Sequence, residues 1–136
     1  MVISKTIAAQ EVGTLVPGFH IDGTTALGNF GLSIASGFFD FNGDKIADIL
    51  IGTPSSNKNG GTATVIYGRC GAFPPMLTNA QVPNVETIFA ASVPFINFGS
   101  SVASAGDING DGITDILVGS SYAENHRGDT FVIFSC

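Results

Sequence analysis

Apolar residues in this chain come in short runs, each stopped by glycine or a polar cluster. The runs "ADILIG" (47–52) and "TDILVG" (114–119) are apolar on both faces, the pattern of a strand covered on two sides. "TATVIYG" (62–68) and "TFVIFS" (130–135) each follow a polar, glycine-containing turn, as the second arm of a hairpin does. "GLSIAS" (31–36) and "SSVASA" (100–105) are short and rich in small residues, which suits a crowded position where sheets converge. "ETIFAA" (86–91) reads as a fourth strand, matched earlier by "GFHIDG" (18–23). Between them "CGAFPPMLTNAQVPN" (70–84) carries three prolines and reads as a loop. No stretch shows a helical period, so the pattern predicts an all-β chain.

The runs recur in the same order. Asn29-Phe30-Gly31 and Asn97-Phe98-Gly99 stand 68 residues apart, while Asp40 and Asp107 stand 67 apart. The later pairs Gly52 and Gly119, Gly61 and Gly128, and Tyr67 and Phe134 keep the second offset. The first copy therefore holds one extra residue near Phe38, a place for a bulge or a longer turn. Four strands in roughly 60–70 residues, repeated, are the signature of a propeller blade.

Each copy also carries an acidic loop that runs straight into the apolar strand: "FDFNGDKIADILIG" from Phe39 and "GDINGDGITDILVG" from Gly106. Asp40, Asn42, Asp44 and Asp48 occupy positions 1, 3, 5 and 9 of the first loop, and Asp107, Asn109, Asp111 and Asp115 repeat that spacing. Oxygen ligands on alternate residues of a tight turn can surround one hard cation, with the backbone carbonyl of Ile46 or Ile113 at position 7 completing the set. Three carboxylates and an amide without His or Cys favour calcium over zinc or copper. Magnesium would demand a stricter octahedron. The loops are not EF-hands, since position 12 is Ile51 or Val118 and strands replace the flanking helices. The bland alternative is an Asp/Asn/Gly turn that only caps a hairpin. Identical ligand spacing in two copies favours the metal. Position 6 differs, being Lys45 in the first loop and Gly112 in the second. If it needs a left-handed backbone, Lys45 is strained by about 1 kcal/mol and its charge faces the ion. The first loop is then expected to bind more weakly.

Composition adds to this picture in two places. Among 136 residues 44% are hydrophobic and 12% charged, too apolar for disorder, and eighteen glycines with no tryptophan suit strands and tight turns. Of the eleven acidic residues behind the net charge of −6, six lie in the two loops, and no basic cluster points to nucleic acid. Crowded carboxylates repel one another unless a cation sits among them. No apolar run approaches the roughly 20 residues of a membrane helix, so no membrane insertion is expected. "MVISKTIAAQEV" has no long apolar core and is not expected to be a leader peptide; an exported protein would have lost its leader.

The Phe-Gly, the Asp-rich loop and the "DILVG" strand, in that order and twice, resemble the FG-GAP repeat, the blade unit of integrin α-subunit propellers. The resemblance departs where Gly-Ala-Pro is common, since this chain has "GTPS" and "GSSY". It implies two four-stranded antiparallel blades: 19–68 as blade 1 and 85–136 as blade 2, joined by a linker loop over 69–84. An N-terminal segment, 1–18, could supply a strand that closes a blade. It also implies calcium at both loops, two sites per chain, in a non-enzymatic module for adhesion or ligand recognition. The last blade is expected to lack its fourth strand. Propellers close with about four to eight blades, so two blades need company. A homo-oligomer (dimer, trimer or tetramer) is expected, or further blades of a parent protein. The ligand, protein or glycan, is not written in the residues. A multivalent lectin and a structural fragment of a longer surface protein are the alternative readings. Calcium loops of weak extracellular type place the chain at an extracellular, cell-surface or periplasmic location.

Nothing suggests catalysis: no Gly-x-Ser-x-Gly, no phosphate-cradling glycine loop before a helix, and no nucleophile partner for His20 or His126, which read as surface or blade-edge residues. Arg127-Gly128-Asp129 spells an adhesive tripeptide, yet its Gly128 matches Gly61 in the other copy and a charged hairpin turn is ordinary. Phe30 and Phe98 are expected in blade-to-blade packing, and Phe38, Phe39 and Phe41 in the core or at a blade edge. Cys70 and Cys136 follow the third strand of each copy, too far apart for a disulfide, so free thiols or an intermolecular bridge are expected.

Overall fold

A computed structural model describes residues 8–14, 17–55, 60–78 and 88–135. The fold is all-β, with two antiparallel sheets packed face to face. The first runs β2 (Ser33–Ala35), β3 (Ile49–Thr53), β4 (Thr62–Ile66) and β6 (Ile88–Ala90), four strands in that spatial order. The second holds β7 (Phe98–Gly106), β8 (Asp115–Ser120) and β9 (Asp129–Ile133). These are the two blades.

Registers follow the repeat. In blade 1 Leu50 faces Val65 and Gly52 faces Ala63; in blade 2 Leu117 faces Val132 and Gly119 faces Thr130. Residues 88–90 of the "ETIFAA" run form β6 on the outer edge of blade 1, where Ala63 pairs with Phe89. Its earlier match, β1 (His20–Asp22), joins no blade. It pairs in parallel with β5 (Met76–Thr78), His20 against Met76. That corrects the reading of 70–84 as loop throughout: beyond Pro74 and Pro75 the chain is free to extend again, and the backbone groups of 76–78 find a partner in β1. A single helical turn, α1 (Ala123–His126), too short to show a period, stands between β8 and β9.

The extra residue near Phe38 has a visible effect. β7 continues to Gly106, which pairs with Asp115, through register shifts at Phe98–Ser101 and Ser104–Gly106. β2 stops at Ala35. Gly37 then takes φ +114° and Phe38 projects fully into solvent. One added residue would carry the following side chains to the wrong face, and ending the strand early avoids that.

The core lies between the blades. Leu50, Ala63 and Val65 from blade 1 meet Phe98, Ile116 and Val118 from blade 2, closed at one end by Phe39 and Phe41. Phe98 is the hinge pin of this contact, 6% exposed and edge-on to Phe131 at 5.2 Å. Of the three clustered phenylalanines, then, Phe39 and Phe41 are core and Phe38 is not. Backbones also touch directly. A Cβ on Gly61 would lie 2.0 Å from the Phe98 carbonyl oxygen, and one on Gly52 would lie 2.1 Å from that of Gly99. The Phe98 amide donates to the Gly60 carbonyl at 2.9 Å. The N-terminal strand expected within 1–18 falls in part outside the described residues; among those described, Ala9–Glu11 form one 3₁₀ turn.

Candidate functional site

The two acidic loops stand side by side at one end of the blade pair. The Thr114 amide donates to the Asp40 carbonyl at 3.1 Å, and the Ile113 side chain lies against Gly43. Each loop is folded by its own side chains. Asp40 Oδ1 accepts from the amides of Gly43 and Asp44 at 2.8 and 3.1 Å, and its Oδ2 from Lys45 at 2.8 Å. Asn42 Oδ1 accepts from the Asp44 amide at 3.0 Å, and Asp44 Oδ1 from the Ile46 amide at 2.8 Å. The second loop repeats every bond. Asp107 accepts from Gly110, Asp111 and Gly112 at 2.6, 3.0 and 2.8 Å; Asn109 and Asp111 accept from Asp111 and Ile113 at 2.9 and 2.8 Å. In both, the asparagine amide donates to the position-5 carboxylate, at 3.0 Å in one and 2.8 Å in the other.

Position 9 does something else. Asp48 and Asp115 are buried at the mouths of β3 and β8. Asp48 accepts from the amides of Phe41 and Gly68 at 2.7 and 2.8 Å, tying the start of the loop to the end of β4. Asp115 does the same with Ile108 and Ser135 at 2.9 and 3.0 Å. This anchoring was not read from the sequence, although a carboxylate opening a fully apolar strand is a signal for it. Burial pushes the Asp48 carboxyl above its ordinary pKa; the amide bonds from Phe41 and Gly68 only partly offset that, and Asp44 and Asp40 add repulsion. At Asp115 burial acts in the same direction but is outweighed by amide bonds from Ser135, Ile108 and Asn109 and by the Ser135 hydroxyl, leaving the carboxyl below its usual range.

Among the described residues no group of three or more Asp, Glu, His or Cys side chains is gathered as a metal cage. The oxygen donors still suit a hard cation. A carboxylate offers about four lone-pair sites, Asp40 uses three and Asp44 two, so both keep acceptor capacity. Asp40, Asn42, Asp44, Asp107, Asn109 and Asp111 all sit within the tips of the loops; Ile46 and Ile113 stand half-buried just beyond.

Loop for loop, and in the order of the first three strands, the second copy repeats the first, and the profile of the FG-GAP repeat matches both, at residues 30–66 and 98–133. The chain belongs to the FG-GAP repeat family. Its FG-GAP relatives include integrin alpha-2 of Bos taurus, 32% identical over 101 residues, which are 73% of this chain and 8% of that protein. Integrin alpha-3 of Mus musculus is 32% identical over 75% of this chain and 9% of its own length. Integrin alpha-M of Mus musculus is 29% identical over 74% of the chain and 8% of its own length. The chain thus spans less than a tenth of the length of these relatives.

The two FG-GAP loops differ where the spacing said they would. Lys45 adopts φ +69° and its counterpart Gly112 φ +88°, so position 6 does require the left-handed backbone. A lysine there is strained by about 1 kcal/mol where glycine is not. Lys45→Gly is expected to stabilise the fold by up to about that amount, the glycine's looser unfolded chain offsetting part of it. Urea denaturation in EDTA checks this; a loss of stability would contradict the strain.

The other singled-out residues fall outside the loops. His20 is half-buried on β1 with Nε2 3.9 Å from Asp22; His126 is exposed and edge-on to Tyr122 at 4.8 Å. Arg127 and Asp129 are exposed, and Gly128, at φ +75°, turns the chain by donating to the Ala123 carbonyl. Cys70 is an exposed free thiol, and Cys136 lies outside the described residues. No helix among the described residues is long and apolar enough to cross a membrane.

Proposed function

We propose that this chain is a non-enzymatic, calcium-binding propeller module for adhesion or ligand recognition, held at an extracellular, cell-surface or periplasmic location. The observation that carries the metal part is the duplicated loop: two separate stretches fold the same Asp-x-Asn-x-Asp turn with the same hydrogen bonds. Asp40, Asn42, Asp44 and the Ile46 carbonyl would hold one ion, and Asp107, Asn109, Asp111 and the Ile113 carbonyl another. Asp48 and Asp115 hold each loop to its sheet and close the donor set at position 9. Calcium would neutralise the facing carboxylates and stiffen the loop end of both blades. The adhesive part rests on membership of the FG-GAP family and on the integrin alpha relatives.

Charge separates the sites. Lys45 brings a cation to the first loop that the second lacks, worth about 1 kcal/mol of repulsion from a divalent ion roughly 8 Å away in water. The Asp107 loop is therefore expected to bind calcium about fivefold more tightly. Lys45→Gly should bring the two affinities together, and Gly112→Lys should weaken the second site. Calorimetric titration of the three proteins tests this; equal affinities in the unsubstituted chain would refute it.

A further inference from the structure

The two acidic loops are alike in their own hydrogen bonds and unlike in what they touch. The second loop leans on the first: the Thr114 amide donates to the Asp40 carbonyl at 3.1 Å, and the Ile113 side chain lies against Gly43. Asp40 opens the first loop, and Ile113 stands at position 7 of the second. Burial records this contact. Asp40 and Thr114 are half-buried, whereas their counterparts in the other copy, Asp107 and Ala47, are exposed.

A single peptide unit carries the contact. The Ile113 carbonyl and the Thr114 N–H belong to one planar peptide, which is trans like every described peptide bond, so the two groups point in opposite directions. The carbonyl is the position-7 donor proposed for the ion of the second loop. The N–H is bonded to the residue that supplies position 1 of the first. Drawing electrons toward the oxygen of an amide makes its N–H a stronger donor, as happens along a chain of hydrogen bonds. A firmer bond to the Asp40 carbonyl fixes the backbone from which the Asp40 carboxylate reaches the amides of Gly43, Asp44 and Lys45. A loop already ordered in this way loses less entropy when it takes up its ion. Repulsion between the two cations works against this effect, and dissolved salt screens it.

From this we infer that the two calcium sites are coupled, and that filling the Asp107 loop raises the affinity of the Asp40 loop through the 113–114 peptide. This coupling rests on the proposed calcium reading and adds an order of filling to it: the tighter second loop binds first and prepares the weaker one. Its expected size is about threefold, the lower part of the range that one hydrogen bond supplies. That is less than the difference of about fivefold expected from the Lys45 charge, so the two steps draw together and stay unequal. Linkage makes the effect reciprocal, the first loop acting on the second by the same factor.

Asp111→Asn tests it. An asparagine still offers Oδ1 to the Ile113 amide, as Asp111 does at 2.8 Å, so the second loop is expected to keep its fold while losing a ligand charge. Circular dichroism in EDTA checks the fold. Calorimetric titration should then show the Asp40 loop binding calcium about threefold more weakly than in the unsubstituted chain, where it is the weaker of the two steps. Charge alone gives the opposite sign. A divalent ion offsets more charge than one lost carboxylate, so the second loop is more negative when emptied by the substitution than when filled, and would tighten its neighbour. An Asp40 site that is unchanged or tighter in the variant overturns the coupling. A second measurement uses the unsubstituted chain, with hydrogen exchange followed by NMR as calcium is added. Exchange of the Thr114 amide should slow about threefold or more as the first ion binds. The same rate with one ion bound as with none overturns the coupling equally. A chain that takes up two ions without these effects loses the coupling alone; a chain that takes up none loses the calcium reading and the coupling with it.

Discussion

Gly61→Ala is expected to destabilise the chain by about 3 kcal/mol or more, far beyond the effect of one methyl group elsewhere. Two causes add. Gly61 sits at φ +89°, where a side chain costs about 1–2 kcal/mol. The new Cβ would also stand 2.0 Å from the Phe98 carbonyl oxygen, an atom of the backbone that can move only if the blades part. Gly112→Ala supplies the control: φ is +88°, nothing lies within 4 Å of the added carbon, and Lys45 already carries a side chain at the equivalent position. It should lose only about 1 kcal/mol. Urea denaturation of both in EDTA keeps any bound metal out of the comparison. Equal, small losses would mean that the backbones of the two blades do not meet at Gly61.

Phe98→Ala is expected to cost about 3–5 kcal/mol, the range for emptying a buried aromatic site. The ring is 6% exposed between Ala63 and Val65 on one side and Ile116 and Val118 on the other. Neither sheet can collapse into the space, because the glycine contacts at residues 52, 61 and 99 already hold the backbones as close as they can come. Phe38→Ala should change stability by less than about 0.5 kcal/mol, since the side chain meets only water. Denaturation midpoints of the two variants give the answer. A loss at Phe98 no greater than at Phe38 would place the blade contact elsewhere.

Much of this was legible in the order of residues. The apolar runs "DILIG" and "DILVG" located β3 and β8, and the glycine-bounded hairpins that follow them located β4 and β9. The repeat located the loops, and the residue count around Phe38 marked the place where β2 ends early. What the residues did not show has physical causes. Met76–Thr78 pairs with a strand more than fifty residues away, and no local pattern records a partner at that distance. Asp48 and Asp115 were legible as oxygen donors but not as anchors, because their amide partners include Gly68 and Ser135, twenty residues on. The exposed face of blade 2 was also invisible. Thr130 and Val132 look like any strand residues until Ala63 and Val65 are found covered at the same positions.

The most direct test of the proposed module is a calorimetric titration of the intact chain with calcium, followed by thermal unfolding in calcium and in EDTA. Two ions should bind per chain, unequally, in the roughly 10⁻⁴–10⁻³ M range of extracellular modules. Saturation to about a hundred times the dissociation constant should add about 2.7 kcal/mol for each site and raise the melting temperature accordingly. No heat of binding and the same melting temperature with and without calcium would contradict the account, and leave the two loops as turns folded by their own aspartates.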